Sequence, residues 1–359
     1  MDKIILIDYY GNCDASGRAV GHSPKALMEY RGLLGGQYRV EAVLTKCIAN
    51  EIDCSCFDKV EILPYQIVEE GSRNLGKRIL DKVKLIKNIS LAIQKTGKAD
   101  LWFYRTDFFL FLFFSLRRKP LNRKMFCLVY QQSFLGGRLG SILNFIYSKG
   151  LRKFDGVIYT QENLPPRHMH TYYMPDYYYD DDRYGKYGNI KKKRKAICLG
   201  TMSPYKKLEE LIEVFEENGI PLEIYGKFFD QKRFENLRRK AGRKIIIENV
   251  ILPQETYYKK LAEAQYTVLP YDMRQYKGRT SGVLLEALFV QTIAIAPSDL
   301  LKENGMPGIG YERLRELSRA EFIEEKGKGI SEKLAQRLRD YPTKKEIEKG
   351  ILDFLKGDT

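Results

Sequence analysis

A chain of 359 residues is longer than one hydrophobic core usually organises, so two domains are expected. With 44% hydrophobic residues, 30% charged and only 13 prolines, the disordered, collagenous and low-complexity classes are excluded. The net charge of +15 is uneven: residues 1–170 hold 26 Lys and Arg against 16 Asp and Glu, and the remainder 35 against 30. Such a bias attracts nucleotides, anionic lipid headgroups or nucleic acid and carries no information on fold.

The opening MDKIILIDYYG lacks a basic n-region and a long apolar core, so no export signal is expected, and Lys3–Asp8 reads as a first strand whose run Ile4 to Ile7 is that of a doubly covered one. Further strands are expected at Tyr38–Thr45, Val60–Pro64, Leu101–Tyr104, Met125–Tyr130 and Gly156–Thr160. Between them, Ser72–Lys95 places Ile79, Val83, Ile86, Ser90 and Ile93 at three-to-four spacing with lysines outside, which predicts an amphipathic helix. Met174–Lys195 is dense in Tyr, Asp, Gly and Lys without apolar period and reads as a linker. The alternation then restarts with strands at Ala196–Leu199, Leu222–Tyr225, Ile245–Glu248, Tyr266–Leu269 and Ile293–Ala296. Helices are expected between them at Leu208–Glu217, Gln231–Lys240, Thr256–Ala264 and Ser281–Val290, and beyond about residue 330 the pattern is wholly helical. The expected organisation is α/β: domains at 1–173 and 196–342, a linker at 174–195, and a helix at 343–359 that can pack back on the first domain. Both domains read as Rossmann-like doubly wound parallel sheets, facing a central cleft, with a ligand at the carboxyl ends of the strands.

Six cysteines without CxxC pairs or scaffold density read as reduced thiols, which fits a cytoplasmic protein. The longest apolar run, Phe108 to Phe114, is far shorter than the roughly 20 residues of a spanning helix.

Two stretches of the second domain are furnished for a phosphate. In LGTMSPYKKLEELIEVF a strand ends at Gly200, Ser203 and Pro204 are expected to open the next helix, and Lys206 and Lys207 to occupy its first turn. In YDMRQYKGRTSGVLLEALFVQTIAIAP a polar loop with Asp272, Arg274, Lys277 and Arg279 leads into Thr280, Ser281 and Gly282 at a helix start. Glycine admits close backbone approach, hydroxyls and amides bond phosphate oxygens, and Arg279 can fork onto them. Glu286, among Leu284, Leu285, Ala287 and Leu288, needs a hydroxyl or cation partner, and a ribose diol supplies one.

Together these features resemble the retaining GT-B glycosyltransferases of the family 4 type, over Lys195 to about Pro297: strand, GxxSPxK, a strand ending in Gly226, a helix pair, then SGVLLEAL before the strand IAIAP. The resemblance implies that Lys206 contacts the donor's phosphates, that Ser281 and Gly282 bind them through backbone amides, and that Glu286 holds the ribose. Gly278 stands where the family has a second carboxylate, eight positions before Glu286, and Thr201 where it often has an arginine. The implied activity is a metal-independent transfer of sugar from a nucleoside-diphosphate sugar, of UDP or GDP type and with no further cofactor, to a glycan or lipid-linked saccharide in surface polysaccharide assembly. The second domain would bind the donor and the first the acceptor.

In the first domain the resemblance points to the basic loop after strand one, where Gly17, Gly21, His22 and Ser23 precede a helix; the expected topology places Arg105 and Asp107, after strand four, facing the same cleft. Asp107 can orient an acceptor hydroxyl, take its proton, or cap the following helix, and His22 is the second catalytic candidate. The aromatic block from Phe108 abuts Arg117, Arg118, Lys119, Arg123 and Lys124, a pattern that fits an anionic membrane surface on its inner face or a buried helix ending in a basic turn. Asp180 to Asp182 read as solvated, and His168 and His170 lack partners at metal spacing, so no metal is expected. The competing readings are a nucleotide-sugar epimerase on the same architecture and a non-catalytic nucleotide-sugar or lipid-binding protein. Nucleic acid is not an expected partner, because no RNA- or DNA-binding motif is present.

Overall fold

The computed structural model describes residues 2–14, 17–19, 23–68, 75–120, 122–130, 137–160, 165–276 and 281–357. The chain divides into two compact units, Met1–Pro175 with Lys345–Thr359, and Asp176–Lys344.

The first unit is built on a seven-stranded sheet. Its strands are β1 (Asp2–Asp8), β2 (Tyr38–Thr45), β3 (Lys59–Leu63), β4 (Asp100–Phe103), β5 (Met125–Val129), β6 (Gly156–Tyr159) and β7 (Thr171–Tyr173). Their spatial order is β3-β2-β1-β4-β5-β6-β7, and every pairing is parallel. Ile4 to Asp8 and all of β5 are buried, as continuous apolar strands covered on both faces must be.

On one face a single core joins Ile5, Ile7, Phe103 and Cys127 of the sheet to the helices Leu75–Lys95, Phe108–Leu116 and Gly137–Leu151. The phenylalanine helix is the most deeply set, with Leu110, Phe111, Phe113 and Phe114 buried. In the long helix the inward residues are Leu85, Asn88, Ile89 and Ala92, while Ile79 and Val83, which the spacing predicted for the buried stripe, face solvent. The Asn88 amide donates to the carbonyls of Tyr9 and Tyr65 at 3.0 and 2.7 Å, which pins that edge of the helix inward. The C-terminal helix Lys344–Lys356 completes the unit, stacking Phe354 on His170 with ring centroids 4.2 Å apart.

The second unit carries six parallel strands: β8 (Lys193–Leu199), β9 (Leu222–Gly226), β10 (Ile245–Asn249), β11 (Ala264–Val268), β12 (Ile293–Pro297) and β13 (Gly308–Tyr311). They run in the order β10-β9-β8-β11-β12-β13, so all carboxyl ends lie along one side. Both units are therefore Rossmann-like, with the strand order reversing beside the first strand of each. The tyrosine-rich segment after Met174, which lacks apolar period, contributes Tyr184 and Tyr187 to this unit's core. Tyr184 packs on Phe289 and Tyr258 at centroid distances of 4.8 and 5.1 Å. Asp181 and Asp182 remain exposed.

Packing between the phenylalanine helix and Gly137–Leu151 depends on Gly150, where an added Cβ would lie 2.1 Å from the Phe111 carbonyl oxygen. Gly150→Ala is expected to force the helices apart at a cost of about 1–3 kcal/mol. A lower urea midpoint at unchanged slope would show it, and an unchanged midpoint would contradict it.

Candidate functional site

In the second unit the first furnished loop leaves β8 at Gly200, whose φ of 92° lies in the region that favours glycine. Gly226 closes β9 beside it so tightly that a Cβ there would lie 1.7 Å from the Gly200 carbonyl oxygen. The helix after this loop starts at Leu208, so Lys206 and Lys207 precede it instead of forming its first turn. The reason is a set of ties between loops: Lys206 bridges to Tyr271, the Lys207 amide donates to Pro270 and the Asp272 amide to Tyr205, both at 2.8 Å. Arg233, which the sequence did not single out, clamps the same turn. Its guanidinium donates to the carbonyls of Ser203 and Lys206 at 3.1 and 2.8 Å and forks onto Glu209. Ser203 Oγ, inside this turn, is buried without a hydrogen-bond partner.

Lys206 is 3% exposed and donates from Nζ to the Leu199 carbonyl at 2.7 Å. Burial pulls its pKa below the ordinary lysine value. A Cβ on Gly200 would lie 3.7 Å from Val283 Cγ2 and 3.9 Å from Lys206 Nζ, so the ammonium, the glycine and the first turn of the helix Gly282–Phe289 share one spot. Ser281 precedes that helix without capping it, its hydroxyl lying 3.3 Å from that of Tyr271. Among the described residues the amides of Gly282 and Val283 consequently have no hydrogen-bond partner. Beside them stands Tyr177, whose hydroxyl would lie 2.6 Å from a Cβ on Gly282. Arg274 is engaged elsewhere, since its bidentate bonds hold the Asp272 carboxyl down at about 2.

Glu286, one turn further along, is buried in its apolar helix and accepts from the hydroxyls of Tyr257 at 2.6 Å and Tyr258 at 3.2 Å. Burial and then the adjacent carboxylate push Tyr257 well above its ordinary pKa, which keeps it a donor. These tyrosines carried no signal in the sequence. Tyr257 and Tyr258 stand on an ordinary amphipathic helix, and only the sheet order brings that helix beside Gly282–Phe289.

In the first unit Asp8 ends β1 fully buried and accepts from the amides of Tyr10 and Gly11 and from the Tyr104 hydroxyl, each at 3.0 Å. Arg105 donates to Ser23 Oγ at 2.7 Å and lies over the Tyr10 ring, joining the loops after β1 and β4. Asp107 caps the phenylalanine helix through the Leu110 amide at 3.0 Å and accepts from the Tyr9 hydroxyl at 2.9 Å, with burial raising its pKa. Gly17 has φ 80°, and among the described residues nothing lies within 4 Å of where a Cβ would stand. Gly21, His22, Arg279 and Thr280, together with Gly278, lie outside the described residues. The rings of His168 and His170 bond backbone carbonyls, and among the described residues no three His, Cys, Asp or Glu side chains gather as a metal site requires.

No protein-family model matches the sequence, and a search of curated proteins finds no match. Solved structures do resemble the fold. A glycosyltransferase from Rickettsia africae ESF-5 superposes with a TM-score of 0.63 at 14% identity, over 99% of this chain and 98% of that one. The Anabaena protein HepE in complex with UDP-glucose gives 0.62 at 13%, over 99% and 100%. A UDP-forming α,α-trehalose-phosphate synthase from Burkholderia vietnamiensis gives 0.63 at 11%, over 99% and 100%. The chain thus has the GT-B fold of these glycosyltransferases.

The pairing at Glu286 can be measured directly. Tyr257→Phe removes the 2.6 Å donor of a buried carboxylate and is expected to cost about 1–3 kcal/mol in urea unfolding. In a Glu286→Leu background the same change should cost close to nothing, and an undiminished cost there would mean the two side chains do not interact.

Proposed function

We propose that the protein is a glycosyltransferase that takes its sugar from a nucleoside-diphosphate donor of UDP or GDP type, without metal and with retention of configuration. The acceptor hydroxyl belongs to a glycan or a lipid-linked saccharide, as in surface polysaccharide assembly. The observation that carries the reading is the spot at Gly200, at the carboxyl end of β8, where a desolvated ammonium lies beside the first turn of the helix Gly282–Phe289, whose two leading amides have no hydrogen-bond partner among the described residues. Lone backbone donors at a helix N-terminus beside a cation suit the phosphate oxygens of a donor and the charge that develops there as the sugar–phosphate bond breaks. Glu286 then accepts from the ribose hydroxyls, held in place by Tyr257 and Tyr258. Arg279 and Thr280 extend the phosphate seat on sequence grounds.

Within the first unit we assign the acceptor to the loop carrying Gly17, Gly21 and His22 and to Arg105, with Asp107 orienting the acceptor hydroxyl and taking its proton. Asp107 is suited to this by the burial that raises its pKa. The likeness to the UDP-glucose-bound HepE supports the class of donor.

Calorimetry with UDP and GDP tests the donor seat. One of them is expected to bind, and Lys206→Ala to weaken it about tenfold, the order of a charge-assisted bond. Glu286→Gln should weaken the ribonucleotide more than its 2′-deoxy counterpart. Binding of neither nucleotide, or equal losses for both sugars, would overturn the assignment. Sugar consumption in a reaction without acceptor would indicate an epimerase instead.

A further inference from the structure

We propose that the outer face of the helical layer on the first unit is a docking surface for an anionic lipid bilayer. The helices Leu75–Lys95, Phe108–Leu116 and Gly137–Leu151 cover one face of the sheet and share one core, so their opposite sides form one outer face. Leu85 and Tyr147 are inward anchors of the two flanking helices. At 3.6 residues per turn, positions two and five before an anchor project away from the sheet. Those positions are Val83 and Leu80 in one helix, Phe145 and Ile142 in the other, and all four are apolar. Together with Ile79 they are 42–67% exposed. Two groups of large apolar side chains on the outer sides of two helices that flank a third are not explained by folding and mark an interaction surface.

Charge selects the partner. The long helix carries Lys77, Arg78, Lys82, Lys84, Lys87 and Lys95 against the single acid Asp81. The helix Gly137–Leu151 carries Arg138 and Lys149 and no carboxylate. A second copy of this chain would bring like charge against like, whereas an anionic leaflet supplies both the opposite charge and an apolar interior for the aliphatic and aromatic tips. Lysine stems can lie along that apolar surface while their ammonium groups reach the headgroups. Leu110, Phe111, Phe113 and Phe114 of the phenylalanine helix are buried and serve to carry the flanking helices. Among the described residues no helix is long and apolar enough to cross a membrane, so the contact is peripheral.

The surface is independent of the donor reading and its test needs no turnover, so either can fail alone. The full-length protein is floated with vesicles of phosphatidylcholine, or of phosphatidylcholine mixed with phosphatidylglycerol. Binding to the mixed vesicles only is expected, weakening at about 1 M salt, where the screening length falls to about 3 Å. The double variant Ile79→Gln, Phe145→Gln retains helix propensity at exposed positions and should keep the melting temperature while losing about tenfold or more in vesicle affinity. No binding to mixed vesicles would overturn the proposal, as would binding that the double variant leaves unchanged. A dimer in gel filtration that the double variant dissociates would equally overturn it, placing a second copy on this face.

Discussion

A charged group taken out of water has to be partnered, and two such groups organise the second unit. Lys206 and Glu286 are both buried, one at the end of β8 and the other inside an apolar helix. Their partners account for much of the local architecture. The Leu199 carbonyl and the face of Tyr271 receive the ammonium, Arg233 fixes the turn that presents it, and Tyr257 and Tyr258 bring a neighbouring helix against the carboxylate. Burial lowers the pKa of Lys206, no carboxylate pairs with it among the described residues, and in the proposed reading a diphosphate would supply the opposite charge. Gly226 and Gly282 then follow as spatial consequences, standing where a side chain would meet the Gly200 carbonyl or Tyr177, while Gly200 is required by its positive φ.

The first unit uses the same device more quietly. Asp8 is satisfied entirely by two amides and the Tyr104 hydroxyl, so it shapes the turn after β1. Arg105 and Asp107 tie that turn to the end of β4 through Ser23 and Tyr9. The basic, apolar outer face of the helical layer lies on the far side of this sheet's core, so donor chemistry in one unit and surface attachment through the other would draw on separate residues.

The strands were legible because buried parallel strands are continuous apolar runs. Tyr38–Thr45 was read to the residue, and the other interior strands ended within a few residues of their expected bounds. The short edge strands Thr171–Tyr173 and Gly308–Tyr311 were missed, since three or four residues with little apolar content carry no period. The stripe assigned to Ser72–Lys95 was displaced because periodicity finds an apolar side without telling which side meets the sheet. There the polar Asn88 points inward and Val83 outward. At the candidate site, Lys206, Ser281, Gly282 and Glu286 were legible from local motif, while Arg233, Tyr177, Tyr257 and Tyr258 were not. Their roles arise from strand order and from pairings between residues far apart in the chain, such as Arg233 to Lys206, Tyr257 to Glu286 and Tyr177 beside Gly282. The start of the helix at Leu208 was likewise set by the bridge to Tyr271, a tertiary tie that overrides the capping signal at Ser203.

The most direct measurement is a crystal structure of the protein soaked with the nucleoside diphosphate. The account predicts phosphate density against Lys206 Nζ and the amides of Gly282 and Val283, with the ribose hydroxyls within hydrogen-bonding distance of Glu286. Nucleotide held at another edge of the sheet, with Lys206 and Glu286 both out of its reach, would contradict it.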